Sequence, residues 1–297
     1  MRDHRYSAAG ASVSMLANRI SHVFDLRGPS VAVETACSSS MYAVHLAVSA
    51  IRNGDCDSAL VAASNWIADP GLQIALDKFG ALSPTSRCHT FDVSADGYAR
   101  GEGFAALYLK RLPGVVTDGS PIRAVIRGTA VNANGRTAGI SRPSAAGQEA
   151  IIRKAYDNAR LPFSDTTYLE CHGTGTPAGD LIELEAASKV FTSNENSGAG
   201  IPKHLFVGSV KTNMGHAEGA SAVASIMKVV LSLEAGEIPP NVGVKMLNPN
   251  IDFTNARVEV VRERLQLSLK IDLGGLVLTH LALEGPMVTA LLTTSVS

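Results

Sequence analysis

The sequence predicts an α/β fold in which helices cover a sheet in layers. Short apolar runs alternate along the chain with longer segments of helical periodicity, an alternation typical of α/β architectures. Most of the apolar runs are continuous, which predicts strands that are covered on both faces. With 297 residues, of which 45% are hydrophobic, the chain is long enough to bury a sizeable core.

The elements can be placed in order along the chain. Apolar runs predict strands at 31–35, 58–64, 104–110, 124–132, 167–170 and 205–208. Amphipathic periodicity predicts helices at 38–53, 145–159, 182–191 and 218–234. Segment 192–203 is rich in Ser, Asn and Gly and is expected to form a surface loop.

Composition and charge exclude several classes of protein. The chain has 26 basic and 27 acidic residues, a net charge of −1 and no basic stripe, so we expect no nucleic-acid partner. The N-terminus lacks a sustained apolar region and no stretch of about 18 apolar residues follows, so neither secretion nor membrane insertion is expected. The cysteines show neither metal-type spacing nor a dense disulfide pattern, which predicts a cytoplasmic location; they are Cys37, Cys56, Cys88 and Cys171.

Cys37 stands in VAVETACSSS, where an apolar run ends at small and hydroxylic residues and an amphipathic pattern begins. This position predicts a thiol at a helix N-terminus. The N–H groups of a first helical turn are unpaired and the helix dipole is positive there, so the thiolate is favoured over the thiol. We therefore expect Cys37 to be a nucleophile.

Two further segments contain histidines among glycines: ECHGTGTPAGD around His172 and SVKTNMGHAEGA around His216. With the cysteine segment, they resemble in order and spacing the active-site motifs of β-ketoacyl synthases, most closely the ketosynthase domain of a type I, fungal iterative polyketide synthase. The resemblance extends from about residue 18 to residue 253 and includes FDVSADGYARGEG and GEIPPNVGVKMLNPNIDF.

The resemblance implies a thiolase-like fold of αβαβα layers, here the end of the N-terminal half and most of the C-terminal half. It implies that Cys37 accepts an acyl group from an acyl carrier protein and joins it to a decarboxylated malonyl unit by Claisen condensation, in polyketide or fatty acid synthesis. His172 and His216 would donate hydrogen bonds to the enolate oxygen. The phosphopantetheine would belong to the carrier protein, and a homodimer is implied.

Supporting roles also follow from the resemblance. Lys211 and Glu218 are expected to form a charged hydrogen-bond network near the histidines, and Asn213 is expected to be a structural amide. For three further charged residues, a surface or structural ion pair is the preferred interpretation; they are Asp96, Arg100 and Glu102.

The glycine-rich loop after His172 has its own expected functions. Gly173 and Gly175 permit a tight turn that brings the backbone close to a ligand, and Thr174 and Thr176 are positioned to bind a pantetheine arm. The histidines lack metal-ligand spacing and no GxGxxG fingerprint follows a strand, so neither a metal nor a bound redox cofactor is expected.

Two other functions remain open at this stage. The chain can be a non-catalytic ketosynthase remnant that serves in dimerisation or carrier-protein binding. It can also be a cysteine hydrolase that uses Cys37 with one histidine, although the second histidine and the HGTGT loop argue against this reading.

The tail departs from the family. The expected division is a partial β-ketoacyl synthase domain at 1–262 and an aberrant tail at 263–297 that replaces the final strand and the NSFGFGGTNAH-like catalytic loop. The segment LGGLVLTHLALEGPMVT can be translated back into possible codons. When these codons are read in a shifted frame, in which each new triplet starts at the third base of an original codon, they permit the translation RRASVNSFGFGGTNGH. We therefore expect a frame change between about residues 263 and 274, and a chain that holds an incomplete site.

Sequencing of the transcript tests the frame change. The expected result is an overlapping frame that encodes SFGFGG opposite the residues from His280 to Gly285. A single frame with no overlapping SFGFGG sequence would remove the hypothesis.

Overall fold

A computed structural model describes residues 5–191 and 204–267, and the backbone alone of residues 275–280 and 287–293. The helices of the described residues are α1 (Ser7–Ala11), α2 (Ser14–Val23), α3 (Ser39–Asn53), α4 (Pro70–Lys78), α5 (Leu112–Asp118), α6 (Ala145–Ala159), α7 (Gly179–Phe191), α8 (Lys211–Met214) and α9 (Ser221–Ala235). The strands are β1 (Ser58–Asn65), β2 (Gly103–Lys110), β3 (Val125–Asn132), β4 (Thr166–Glu170), β5 (Leu205–Gly208), β6 (Glu237–Ile238), β7 (Val258–Val260), β8 (Leu265–Gln266), β9 (Gly275–His280) and β10 (Met287–Thr293).

A six-stranded sheet forms the centre, in the order β3-β10-β9-β4-β5-β7. Strands β9, β4, β5 and β7 are parallel to one another, whereas β10 is antiparallel to both β3 and β9. The strands β1 and β2 form a separate antiparallel ribbon, in which Ser58 pairs with Lys110. The carboxyl ends of β4 and β5 therefore lie side by side at one edge of the sheet, where two loops can meet.

Helices cover the two faces of the central sheet. Helices α6 and α7 pack on one face in a buried cluster with Leu169 and Val207. Helices α3 and α9 pack on the other face with Tyr168, and Val61 of β1 joins the same cluster. The layers therefore run helix, sheet, helix, sheet, which confirms the predicted layered α/β class.

Most of the predicted elements are confirmed. Strands β1 to β5 lie within two residues of their predicted limits, and α6 matches its predicted limits. Helices α3 and α9 are each preceded by a 3-10 turn, Ala36–Ser38 and Glu218–Ala220, and α7 begins three residues early, at Gly179 rather than residue 182. The surface loop predicted at 192–203 lies outside the described residues.

The strand predicted at 31–35 is wrong. Among the described residues no strand pairs with this segment, and Val31 is 60% exposed. An apolar run becomes a strand only when a neighbour satisfies its N–H and C=O groups, and the described part of the chain supplies no such neighbour to 31–35.

The expectation that most strands are covered on both faces does not hold for the β1–β2 ribbon. Its alternate residues Leu60, Phe104 and Tyr108 are exposed, because α3 and α9 cover only its other face.

An apolar cavity of about 500 Å³ lies between β2 and α9. Among the described helices, none combines the length and the apolar character needed to cross a membrane.

Gly128 tests the packing of α6 on the sheet. A Cβ at this position would lie 2.5 Å from the Ala155 carbonyl oxygen and 3.0 Å from the Ala159 nitrogen, and helix backbone cannot yield easily. We expect Gly128→Ala to lower the free energy of unfolding by about 1–3 kcal/mol in a urea titration. The matched control is Gly10→Ala in α1, where nothing lies within 4 Å of the added Cβ. Equal unfolding midpoints for the two variants would contradict this packing.

Candidate active site

Cys37 lies in the 3-10 turn that leads directly into α3. Ala36 has a φ of +52°, a left-handed conformation that is uncommon for a residue with a Cβ and that turns the backbone sharply before the thiol. The turn is held by the Ser38 hydroxyl, which donates to the Thr35 carbonyl oxygen at 2.8 Å. The Cys37 side chain is buried, and its predicted position at the start of a helix is confirmed.

His172 lies two residues beyond the end of β4, at the start of the glycine-rich loop. Gly173 and Gly175 have φ values of +46° and +77°. A Cβ on Gly173 would lie 2.7 Å from both Thr90 Cγ2 and Ser209 Cβ. The loop is therefore packed tightly at positions where only glycine fits, and the groups that it approaches here are residues of the chain itself; a close approach to a ligand stays a prediction.

Two carboxylates at the start of α7 hold this loop. Glu183 accepts the N–H groups of His172 and Gly173, at 2.7 and 2.9 Å, and Asp180 accepts the N–H of Gly175 at 3.0 Å. Both acidic side chains are buried. Burial raises the pKa of Asp180 to about 7, although the backbone N–H donors act in the opposite direction.

His216 is held by its backbone and by its ring. Its N–H donates to the Ala99 carbonyl oxygen at 2.7 Å, and its own carbonyl oxygen accepts the N–H of Gly101 at 2.8 Å. The Glu218 N–H donates to Nδ1 of the ring at 2.9 Å. Because Nδ1 is the acceptor, the neutral imidazole carries its proton on Nε2, which is therefore a hydrogen-bond donor.

The structure brings the predicted residues together. One side-chain atom of each of Cys37, His172 and His216 lies within 4.8 Å of those of the other two. The histidine rings are nearly perpendicular, at 87°, with centroids 5.3 Å apart. The Tyr98 ring covers His216 at a centroid distance of 4.9 Å. Three distant parts of the chain thus form one buried cluster of a thiol and two imidazoles.

A cysteine and two histidines in contact are also a ligand set for a transition metal. A histidine that binds a metal through one nitrogen normally donates a hydrogen bond through the other. His216 does the opposite, since its Nδ1 accepts the Glu218 N–H. This hydrogen bond keeps the proton of the neutral His216 ring on Nε2, where the ring can donate a hydrogen bond but cannot bind a metal unless that proton leaves.

The expected network of Lys211 and Glu218 takes a different form. The carboxylate of Glu218 binds Arg100, at 2.7 Å from Nε and 3.1 Å from Nη2, and the two side chains are only 17% and 5% exposed. Lys211 is fully buried, and this burial lowers its pKa. The structural ion pair expected of Arg100 is confirmed, but it is buried and its partner is Glu218.

Asn213 is exposed, and its Oδ1 accepts the hydroxyl of Thr212 at 3.0 Å. The buried structural amide near the site is Asn241, whose Oδ1 accepts the Ser209 N–H at 2.8 Å. Thr174 is buried, and its hydroxyl lies 3.0 Å from that of Thr176. The binding of pantetheine by these two threonines stays a prediction.

The sequence analysis missed the buried carboxylates Glu170, Asp180 and Glu183. A signal for the last two was present, since acidic residues three apart begin an apolar helix directly after a glycine-rich loop. Residues three apart at the start of a helix share one face, so the carboxylates of Asp180 and Glu183 can both accept N–H groups of the neighbouring loop that lack other partners.

Comparison with known proteins decides the family. Residues 2–114 match the family model "Beta-ketoacyl synthase, N-terminal domain", and residues 123–245 match "Beta-ketoacyl synthase, C-terminal domain". The chain belongs to the β-ketoacyl synthase family.

Solved and curated relatives agree with this assignment. A ketosynthase domain of oxazolomycin synthesis from Streptomyces albus JA3453 is 34% identical, with a TM-score of 0.92 over 98% of this chain and 52% of that one. The ketosynthase from module 6 of the bacillaene synthase of Bacillus subtilis 168 is 32% identical, with a TM-score of 0.92 over 100% of this chain and 53% of that one. The thiolase-like fold expected from the resemblance is therefore confirmed.

Fungal relatives are more similar in sequence. Prosolanapyrone synthase of Alternaria solani is 60% identical over 87% of this chain, and the highly reducing polyketide synthase xilA of Penicillium crustosum is 60% identical over 86%. The chain spans 10% of the length of each. The predicted similarity to fungal polyketide synthases is confirmed for this ketosynthase segment.

The pKa of Asp180 predicts how stability depends on pH. Because the folded state holds this proton more tightly than the unfolded chain, the carboxyl favours folding at low pH, and its contribution is lost as the pH rises toward about 7. We therefore expect the stability of the wild type relative to Asp180→Asn to fall between about pH 5 and pH 8, measured by urea unfolding.

The control is Asp252→Asn. The N–H of Asn255 lowers the pKa of Asp252, so this carboxyl stays ionised over the whole interval. The stability of the wild type relative to this variant should stay constant with pH. A constant difference for Asp180→Asn as well would contradict the raised pKa.

Proposed function

We propose that this cluster is the condensing site of a β-ketoacyl synthase that works on carrier-protein thioesters in polyketide synthesis. The observation that carries the proposal is the convergence of Cys37, His172 and His216, whose reactive atoms lie within 4.8 Å of one another. A thiol faced by two imidazoles suits a reaction in which a nucleophile and an oxyanion form at neighbouring atoms.

Cys37 carries out the acyl transfer. Its thiolate, favoured at the start of α3, attacks the carbonyl carbon of an acyl thioester, and the thiol of the carrier is released. The new bond is again a thioester, so the acyl carbon stays activated for a second attack. The burial of Cys37 keeps water away from this bond.

His172 and His216 act in the second half of the reaction. Loss of CO₂ from a malonyl thioester moves the electron pair of the broken C–C bond into an enolate, whose oxygen becomes negative. N–H donors aimed at this oxygen lower the barrier, and His216 has its proton on Nε2 for this purpose. The enolate carbon then attacks the acyl carbon on Cys37, and the C–S bond breaks to release the β-ketoacyl product and restore the thiolate.

Lys211 and two threonines have supporting roles in the site. Lys211 supports the charge balance of the site, and Thr174 and Thr176 contact the pantetheine arm of the carrier protein. No cofactor other than this carried phosphopantetheine takes part. The free state of all four cysteines supports a cytoplasmic location, and a second copy of the chain is the proposed dimer partner.

Mass spectrometry and CO₂ release test the assignment residue by residue. After incubation with an acyl N-acetylcysteamine thioester, we expect one adduct on Cys37 and none in Cys37→Ala. In His172→Ala and in His216→Ala, CO₂ release from the malonyl thioester should fall by about 10²–10³-fold while the adduct still forms. The control is His22→Ala, on the exposed surface of α2, which should behave as the wild type.

The outcomes separate the three functions. A wild-type chain with no adduct on Cys37 would favour the non-catalytic remnant. An adduct that water removes rapidly, together with cleavage of amide substrates, would favour the cysteine hydrolase.

A further inference from the structure

Glu170 has no part in the proposed chemistry, yet it lies at the junction of the site's loops. It is the last residue of β4, fully buried, and two residues before His172. Its Oε1 accepts the Val210 N–H at 2.7 Å. Its Oε2 accepts the Tyr168 hydroxyl and the Lys228 ammonium, both at 2.6 Å. Both oxygens of one carboxylate thus connect three separate elements.

The geometry of β4 and α9 fixes this arrangement. Side chains two apart on a strand share a face, so Tyr168 and Glu170 both point toward α9, which supplies Lys228. The Lys228 nitrogen also lies 2.6 Å from the Tyr168 hydroxyl oxygen and 5.1 Å from the centre of its ring. A Cβ on Gly208 would lie 2.5 Å from that hydroxyl oxygen, so the hydroxyl packs directly against β5 at a position that requires glycine.

The same carboxylate reaches the site through Val210. This residue directly precedes α8, which begins with Lys211 and is followed by Gly215 and His216. Lys211 is buried, and its nitrogen has no hydrogen-bond partner among the described residues. Glu170 is the anionic group that most favours the charged form of this lysine. The segment that carries Lys211 and His216 is therefore held at its start by Glu170, through one hydrogen bond and through charge.

Stability alone does not account for the ion pair between Glu170 and Lys228, whose side chains are 0% and 9% exposed. Replacement of a buried ion pair by apolar side chains of similar size is often neutral or stabilising, because desolvation offsets the attraction between the charges. A role in orienting neighbouring groups accounts for the pair better, since a displacement of about 1 Å in a site can cost about 10²-fold in rate.

We propose that Tyr168, Glu170 and Lys228 form a positioning cluster that sets His172 against the segment carrying Lys211 and His216. The proposal rests on the proposed function, because it assigns the cluster to the decarboxylation step. Cys37 lies on a different element, in the turn before α3, which is held by hydrogen bonds between Thr35 and the hydroxyls of Ser38 and Ser39. The cluster should therefore affect decarboxylation and leave the reactivity of the thiol unchanged.

The double variant Glu170→Gln with Lys228→Met tests this separation. It removes both charges of the pair and keeps the side-chain sizes, so neither Glu170 nor Lys228 is replaced while its charged partner stays buried, as happens in either single variant. We expect CO₂ release from the malonyl thioester to fall by about 10–100-fold. Alkylation of Cys37 by iodoacetamide should stay within about twofold of the wild-type rate, and the urea midpoint should be close to that of the wild type. The matched control is Glu185→Gln with Lys189→Met, which removes an exposed ion pair on α7.

Three results would overturn the proposal. CO₂ release at the wild-type rate would show that the cluster does not position the site. An equal loss in CO₂ release and in thiol alkylation, with a lowered urea midpoint, would show a merely structural role. In hydrogen–deuterium exchange we expect the double variant to lose protection at amides 209–216 and to keep it in α3, so wild-type protection at 209–216 would also contradict the proposal.

Failure of the proposed function is recognised separately. If the wild-type chain itself releases no CO₂ from the malonyl thioester, the catalytic assignment fails in this chain. The exchange measurement then still decides whether Tyr168, Glu170 and Lys228 position the segment 209–216.

Discussion

Buried carboxylates that accept backbone N–H groups are the interaction on which this site depends. Glu183 holds the amides of His172 and Gly173, Asp180 holds that of Gly175, and Glu170 holds that of Val210. Hydrogen bonds are electrostatically stronger in a buried site of low dielectric than in water. Loops built from glycine have little stiffness of their own. The carboxylates supply the stiffness, and so they convert flexible loops into a fixed frame for the histidines.

The same frame decides what the histidines can do. Because the backbone N–H of Glu218 occupies Nδ1 of His216, the proton of the neutral ring is fixed on Nε2. The carboxylate of Glu218 is meanwhile bound by Arg100, so the residue whose amide faces the ring cannot swing away. A donor that is oriented before substrate arrives needs no reorganisation when negative charge develops. Burial and backbone geometry thus turn an ordinary imidazole into a preorganised donor.

Long periodic elements and motif residues were predictable from the sequence, whereas contacts between distant residues were not. Helices α3, α6 and α9 each repeat their apolar pattern over several turns, and Cys37, His172 and His216 stand in segments with distinctive neighbours. The pairing of Arg100 with Glu218 joins residues 118 apart, and local sequence carries no sign of it. The strand predicted at 31–35 was wrong for a related reason. A strand forms only beside a partner strand, and the residues of the apolar run do not encode that partner.

The last two strands show what a position in the sheet requires. Strands β9 and β10 occupy the centre of the sheet, between β4 and β3. A central strand requires backbone pairing and apolar, β-branched side chains, and GLVLTH and MVTALLT satisfy this requirement. A catalytic loop requires particular N–H groups at particular places, which composition alone cannot supply. The layered architecture therefore depends on the pattern of apolar residues, whereas the chemistry depends on individual residues at fixed places.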